Sequence, residues 1–183
     1  MAAVHERRVP VVSDRPARER GFTMMELLVA VSIAAVLFAI GVPMFRDAAL
    51  GSRLSAAANN LLASVQLARS EAIKRNVNVT LCASSDGTSC AGAGGWEQGW
   101  ITIIDPADPS TVVQYQQGLP AGYQMTQTGG TTDLVFQPIG IGASAAEITV
   151  CRLDPIGSQE RVLSLRATGT ANITATTAGV CPD

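Results

Sequence analysis

The hydrophobic pattern of the chain is dominated by one continuous apolar segment, Leu27 to Val42. The segment contains no charged residue, its single polar side chain is the hydroxyl of Ser32, and Pro43 follows it. A helix over residues 22–43 is about 30 Å long at about 1.5 Å per residue, enough to cross the hydrocarbon core of a bilayer. A helix in the core of a water-soluble domain shows a polar face at helical spacing, and this segment has none. Residues 22–45 are therefore predicted to form one membrane-spanning helix.

Residues 1–21, which precede this helix, are predicted to be a removable leader. Pro10 and Pro16 disfavour a helix there. The five arginines of the leader fit an N-terminus held on the cytoplasmic side of the membrane. A secretory signal peptide is the alternative. It requires a cleavage site of small residues after the apolar run, and the sequence there continues in a helix-like pattern instead.

The hydrophobic period after Pro43 remains helical as far as about Arg75. Apolar residues recur at intervals of three and four while polar residues occupy other faces; the apolar positions are Leu50, Leu54, Ala57, Leu61, Val65, Ala68 and Ala72. A single stripe rich in alanine favours packing on a sheet of the same molecule over a coiled coil. Lys74 and Arg75 suit the C-terminal end of a helix, where the helix dipole favours positive charge.

Beyond Arg75 the period changes to two and β-branched residues become frequent, which is typical of strands. Turns rich in glycine and proline separate eight short segments: 78–82, 100–104, 111–115, 123–126, 134–136, 147–151, 161–165 and 171–174. The last two are predicted to form a closing hairpin that turns near Thr168-Gly169. Short strands joined in this way favour antiparallel pairing. The predicted fold class is α+β, a long N-terminal helix packed on the antiparallel sheet of a head over residues 46–183.

Charge is unevenly distributed along the 183 residues, a length that favours one domain. After Arg75 the chain holds three arginines and nine carboxylate side chains, a net charge of −6. Affinity for nucleic acids comes largely from Lys and Arg side chains that neutralise phosphates. DNA is therefore not the expected partner of this head.

All four cysteines, Cys82, Cys90, Cys151 and Cys181, follow the apolar segment, where an exported head is oxidised. Two disulfides are predicted, and three pairings remain open. Pairing Cys82 with Cys90 closes a short loop, and pairing Cys151 with Cys181 ties down the C-terminus. A zinc site is the alternative, but there is no CxxC pair and the one histidine, His5, lies in the leader.

No set of catalytic residues is recognisable, so the protein is not predicted to be an enzyme. A Ser-His-Asp triad is excluded after the leader because no histidine occurs there. Asp105 and Asp108 stand beside prolines and are predicted to be turn residues, since a calcium loop needs more oxygen ligands. The stretch 92–95 lacks the Lys-Ser/Thr of a phosphate-binding loop. Trp96 and Trp100 are predicted to pack under a loop, and no metal or cofactor is expected.

The sequence from Gly21 to Leu28, Gly-Phe-Thr-Met-Met-Glu-Leu-Leu, resembles the class III signal of type IV pilins and type II secretion pseudopilins. The resemblance implies that prepilin peptidase cuts after Gly21 and methylates the new N-terminus at Phe22. It also implies that Glu26 guides subunit docking and that Pro43 is the helix kink of the family. One interpretation of Glu26 places its carboxylate in the headgroup zone of the membrane, next to the basic leader. The other is that the carboxylate needs a cationic partner once the leader is removed, which the α-amino group of Phe22, its own or a neighbour's, would supply.

The rest of the chain is similar to the GspH/FimT group of minor pilins and pseudopilins. The similarity rests on segments 68–72, 79–82, 95–100, 136–140 and 148–151. It implies a single-pass protein of the inner membrane with its head in the periplasm. Such a subunit assembles with other pilins or pseudopilins, through its N-terminal helix, into a type IV pilus or a type II secretion pseudopilus.

Two alternatives come from other functional classes. Some members of this group bind DNA during uptake and resemble one another in a C-terminal Gly-Arg-x-Arg turn. Here the matching place, residues 169–172, keeps the glycine and lacks both arginines, although Arg161 and Arg166 lie nearby. The other alternative is a single-pass anchored enzyme, against which the missing catalytic set argues.

Overall fold

The computed structural model describes residues 21–140, 145–153 and 159–176. It divides after Met44 into two compact units, each with its own internal contacts. The predicted leader as far as Arg20 lies outside the described residues, and so does Cys181.

One α-helix, α1, runs from Met24 to Arg75, and its backbone is helical through Pro43. The prediction that the helix persists to Arg75 is therefore confirmed. In its last turn Glu71 forms ion pairs with Lys74, at 3.6 Å, and with Arg75. Asn76 follows with a φ of 55°, the left-handed conformation that commonly ends a helix.

Eight strands form two four-stranded antiparallel sheets. They are β1 (Val79–Ala83), β2 (Gly99–Ile103), β3 (Val112–Gln117), β4 (Tyr123–Gln127), β5 (Asp133–Phe136), β6 (Ala146–Arg152), β7 (Glu160–Leu165) and β8 (Ala171–Thr176). The first sheet has the order β3-β2-β1-β5 and the second has the order β4-β6-β7-β8. The predicted α+β class is confirmed, and each predicted strand ends within two residues of the observed one. The division of the strands into two sheets was not predicted.

The main core of the head joins the stripe of α1 to one face of each sheet. Leu54 and Leu61 of α1 are buried in one cluster with Leu81 of the first sheet and with Met125 and Ile148 of the second. These apolar side chains lose nearly all contact with water, which is the main stabilising contribution to such a fold. The stripe predicted from the sequence is thus the surface that α1 presents to its own head.

A second, smaller cluster lies on the opposite face of the first sheet. Cys82 of β1 pairs in register with Ile101 of β2, and both are fully buried together with Ile103. Cys90 and Val112 pack against them. Because side chains alternate between the faces of a strand, β1 and β2 contribute to both cores at once.

Candidate assembly site

The N-terminal end of α1 contains the residues that the resemblance assigns to cleavage and docking. Gly21, Phe22 and Thr23 precede the helix. The hydroxyl of Thr23 accepts a hydrogen bond from the backbone N–H of Glu26 at 3.2 Å, and its carbonyl accepts one from Leu27 at 3.1 Å. Thr23 is therefore the N-cap of α1. Thr-x-x-Glu is the spacing of a capping box, a signal that the sequence contained and that the prediction missed.

Glu26 lies in the first turn of α1, where the helix dipole favours a negative charge. Its side chain is exposed, and it forms no ion pair with another of the described residues. The carboxylate of Glu26 is thus available to a cation from another molecule. Its backbone N–H, by contrast, is already engaged by Thr23.

The apolar half of α1 is uncovered along its whole length. Every large apolar side chain from Phe22 to Phe45 is between 43% and 84% exposed. Among the described residues, Met24–Val42 is the one helical segment long and apolar enough to cross a membrane. The hydroxyl of Ser32 donates to the carbonyl of Leu28 at 2.7 Å, so the one polar side chain of the run is satisfied within the helix. So large an apolar surface requires lipid or other helices to cover it.

Two arginines of the head bind internal partners. Arg161 on β7 donates through Nε to the hydroxyl of Ser55 on α1 at 3.1 Å. Arg69 on α1 donates through Nη1 to the carbonyl of Gly169 at 3.0 Å, in the turn between β7 and β8. Both guanidinium groups therefore hold α1 against the β7–β8 hairpin. Arg166, in the same turn, is exposed.

The two tryptophans are structural, as predicted. Trp96 and Trp100 are each 1% exposed. The indole Nε1 of Trp100 donates to the hydroxyl of Ser64 on α1 at 2.9 Å, which ties β2 to the helix. This hydrogen bond offsets the cost of burying the N–H of Trp100, whereas the buried Nε1 of Trp96 has no hydrogen-bond partner among the described residues.

A disulfide joins Cys82 to Cys90 and closes the loop that follows β1. Asp86 organises this loop, because its carboxylate accepts from the hydroxyls of Ser84 and Ser89 and from the backbone N–H groups of Thr88 and Ser89. These hydrogen bonds, with that of the Ser89 hydroxyl the strongest, hold the pKa of Asp86 well below its ordinary value of 3.8.

The second predicted disulfide is described only in part. Cys151 is disulfide-bonded and 1% exposed. Cys181, the remaining cysteine of the sequence, lies outside the described residues.

Asp105 and Asp108 occupy the exposed turn between β2 and β3, as predicted. Asp105 accepts from the backbone N–H of Ala107 at 3.0 Å, and Asp108 accepts from that of Ser110 at 2.9 Å. Hydrogen bonds from Ser110, its hydroxyl first, lower the pKa of Asp108. Within the described parts of the chain no group of three or more His, Cys, Asp or Glu residues is placed to hold a metal ion.

Comparison with known proteins gives matches over both units. The family model described as type II transport protein GspH matches residues 57–169, and the model of the prokaryotic N-terminal methylation motif matches residues 16–42. The pilin-like protein PilA1 of Thermus thermophilus is 31% identical over 138 residues, which cover 72% of this chain and 84% of that relative.

Two solved structures resemble the fold. The crystal structure of the type IV minor pilin FimU of Pseudomonas aeruginosa has a TM-score of 0.55 and 20% identity, over 67% of this chain and 89% of that one. The minor pseudopilin EpsH from the type 2 secretion system of Vibrio cholerae has a TM-score of 0.50 and 13% identity, over 67% of this chain and 97% of that one. At these identities the likeness concerns the fold alone.

Proposed function

Because the chain belongs to the family of the type II transport protein GspH, whose members are pilus or pseudopilus subunits, we propose how this subunit matures and assembles. Prepilin peptidase removes the leader by cutting after Gly21 and methylates the new N-terminus at Phe22. The helix over residues 22–45 holds the subunit in the inner membrane, with the head of residues 46–183 in the periplasm. The subunit then enters a type IV pilus or a type II secretion pseudopilus. It has a structural role and catalyses no reaction.

The observation that supports this proposal best is the uncovered apolar half of α1, which begins three residues after Gly21. Cleavage after Gly21 would place this helix at the N-terminus of the mature subunit. A terminal helix with no polar face can lie in lipid while the subunit is stored and can then pack among other such helices in a filament. The same surface thus serves storage and assembly.

Glu26 supplies the register of assembly in this proposal. In the dry interior of a helix bundle an unpaired carboxylate is costly, so the subunit is held most stably where Glu26 meets a cation. The methylated α-amino group at Phe22 of a neighbouring subunit is that cation. Pro43, in the helical backbone of α1, is proposed as the point where the helix bends in the filament.

The oxidised head fits export to the periplasm. One disulfide, Cys82–Cys90, closes its first loop, and Cys151 is also disulfide-bonded. Cys181 is proposed as the partner of Cys151, which would fix the C-terminus to β6. Disulfides persist in the periplasm and are rare in the cytosol.

The experiment that tests the proposal is the intact mass and N-terminal peptide of the protein extracted without reductant from its own membranes. We expect a chain that begins at N-methylated Phe22 and is lighter by four hydrogens for two disulfides. A chain that retains residues 1–21 would overturn the proposal. Gly21→Leu is the matched control, because a side chain at Gly21 meets nothing within 4 Å and leaves the fold intact. It should keep its leader and stay out of filaments.

A further inference from the structure

The head has an open apolar cleft of about 240 Å³ between α1 and the connection from β3 to β4. Ala56 and Ala57 line it on the helix side, and Leu119 and Pro120 line it on the other. Arg53 and Tyr123 also line it. We call it the Arg53 cleft.

Two polar groups of the Arg53 cleft lack partners. Arg53 is exposed, and its guanidinium forms no ion pair with another of the described residues. Tyr123 is 8% exposed, and its buried hydroxyl has no hydrogen-bond partner in the part of the chain that the structure describes. A buried hydroxyl with no partner is destabilising, whereas a polar group entering the cleft would satisfy it. The cleft therefore favours an occupant that carries both an apolar surface and a negative charge.

The same chain displays a segment of that kind at the other end of the head. The exposed turn from Asp105 to Ser110 carries two carboxylates around Pro106 and Ala107. Backbone hydrogen bonds to Asp105 and Asp108 hold the turn in one conformation, so little conformational entropy is lost when it binds. We call it the acidic turn.

The register of the first sheet places the cleft and the acidic turn at opposite ends of β2. Ile103, next to the acidic turn, pairs with Thr80, whereas Gly99 at the other end pairs with Gln117. The connection that lines the cleft follows Gln117, and Leu119 there donates to the carbonyl of Glu97 at 2.7 Å. Four residue-to-residue steps of about 3.3 Å each separate Gly99 from Ile103 by about 13 Å. One molecule cannot place its own acidic turn in its own cleft.

Charge along the head supports a contact between copies. The part of α1 from Phe45 to Arg75 carries five basic and two acidic side chains, a net charge of +3. The sequence after Arg75 carries a net charge of −6. Opposite net charges on two parts of one chain favour a contact between unlike surfaces of two copies over a symmetric pair.

We propose that the Arg53 cleft receives the acidic turn of a second copy of this chain, with Arg53 paired to Asp105 or Asp108. The inference rests on the proposed function, since it describes how heads meet once the helices have assembled. Because the two surfaces differ and lie at opposite ends of the head, the contact is heterologous. A heterologous contact repeats along an axis without closing, as a filament requires.

Carbodiimide cross-linking tests this contact, because it joins an amine directly to a carboxylate with no spacer. Lys74 is the single lysine of the chain, so the unaltered protein has few amines that can react. The full-length Arg53→Lys variant in membranes should give a cross-linked dimer whose peptides join residue 53 to Asp105 or Asp108. Asn59→Lys, on an exposed position of α1 that does not line the cleft, is the matched control and should not give this product.

A further variant removes both carboxylates of the acidic turn. It combines Asp105→Asn and Asp108→Asn with Arg53→Lys. Asparagine can still accept the backbone hydrogen bonds of the turn, so the fold is kept while the charges are removed. We expect the dimer that joins residue 53 to this turn to disappear, because carbodiimide activates only carboxylates and an asparagine side chain has none. A lysine at residue 53 that cross-links only to another protein, or to neither aspartate, would overturn the proposal.

Tyr123→Phe gives a second readout. Removing an unpartnered buried hydroxyl should leave the melting temperature of the protein unchanged or raise it, while the yield of the Arg53→Lys dimer falls. A lower melting temperature, or an unchanged dimer yield, would remove Tyr123 from the contact.

The intact mass of the same sample reports cleavage after Gly21. A correctly processed subunit with no dimer would therefore refute this contact and leave the proposed function standing.

Discussion

A single substitution can separate the place of Glu26 in the first turn of α1 from the docking role that we propose for its carboxylate. Its backbone N–H is capped by Thr23, whereas its carboxylate is free for a neighbouring subunit. Glutamine at this position of a capping box preserves the start of the helix and removes only the charge. We therefore expect Glu26→Gln to be cleaved normally after Gly21 and to enter filaments poorly.

The measurement is the fraction of processed subunit in sheared filaments compared with membranes. Thr23→Val is the control, because it removes the hydroxyl cap and keeps the carboxylate. Loss of such a cap costs about 0.5–2 kcal/mol of local helix stability. Should Glu26→Gln assemble as well as the unaltered chain, the carboxylate does not set the register.

Asp86 predicts a pH dependence of the stability of the disulfide loop. Its pKa is lowered in the folded protein by hydrogen bonds, with the Ser89 hydroxyl first. A carboxyl group with a lowered folded pKa contributes stability above its unfolded pKa, and this contribution is lost as the pH falls toward the folded value. Asp86→Asn should therefore lower the melting temperature at about pH 7, and the difference from the unaltered protein should shrink as the pH falls below about 4.

Fluorescence of Trp96 and Trp100, both buried in the head, reports this unfolding. Asp133→Asn is a suitable control, since its exposed carboxylate accepts none of the hydrogen bonds that organise the loop. The prediction is contradicted if the difference in melting temperature between Asp86→Asn and the unaltered protein stays constant down to about pH 3.

At the scale of elements, Gly99 fixes the start of β2. Its φ is +114°, and a Cβ there would lie 2.8 Å from the carbonyl oxygen of Gln116 and 2.9 Å from that of Ser84. Gly129 has a similar positive φ of +92°, but a Cβ there meets nothing within 4 Å. Comparing alanine substitutions at the two glycines therefore separates the free-energy cost of a positive φ from the cost of close packing.

We expect Gly129→Ala to cost about 1–3 kcal/mol of unfolding free energy through strain alone. Gly99→Ala should cost more, because the added methyl group must also push two backbone segments apart. Denaturant unfolding of the full-length protein in detergent, followed by tryptophan fluorescence, measures both. Equal losses for the two variants would mean that the close approach at Gly99 has no energetic effect.

The strands were predictable because each one carries its own period of two, as in Val79–Ala83 and Glu160–Leu165. Their division into two sheets was not, since β1 pairs with β5 across some fifty residues and β4 pairs with β6 across β5. Such pairings depend on contacts that no local pattern contains. The proposed cleavage and docking residues come from one short stretch of sequence, which lies inside the match to the N-terminal methylation motif. The Arg53 cleft could not, because Tyr123 meets α1 only once the sheets are assembled.

At the scale of the whole molecule, the basic side chains are distributed unfavourably for binding DNA. Lys74 and Arg75 pair with Glu71, Arg69 binds Gly169, and Arg161 binds Ser55. After Arg75, where the net charge of the sequence is −6, Arg166 is exposed, and residues 169–172 close to it contain no arginine. Binding to duplex DNA depends on several cations that neutralise phosphates together.

We therefore expect no retardation of linear duplex DNA by the full-length protein in detergent, even at low salt. Arg166→Ala should change nothing, because one arginine in an acidic head cannot offset the repulsion of the phosphates. Replacing Thr170 and Asn172 by arginine, beside Gly169, restores the turn of the DNA-binding relatives and is the positive control. The prediction is wrong if the unaltered protein retards DNA and both added salt and Arg166→Ala abolish the retardation. The head would then bind DNA despite its net negative charge. If only the two-arginine variant retards DNA, the missing arginines separate this subunit from the DNA-binding members of its group.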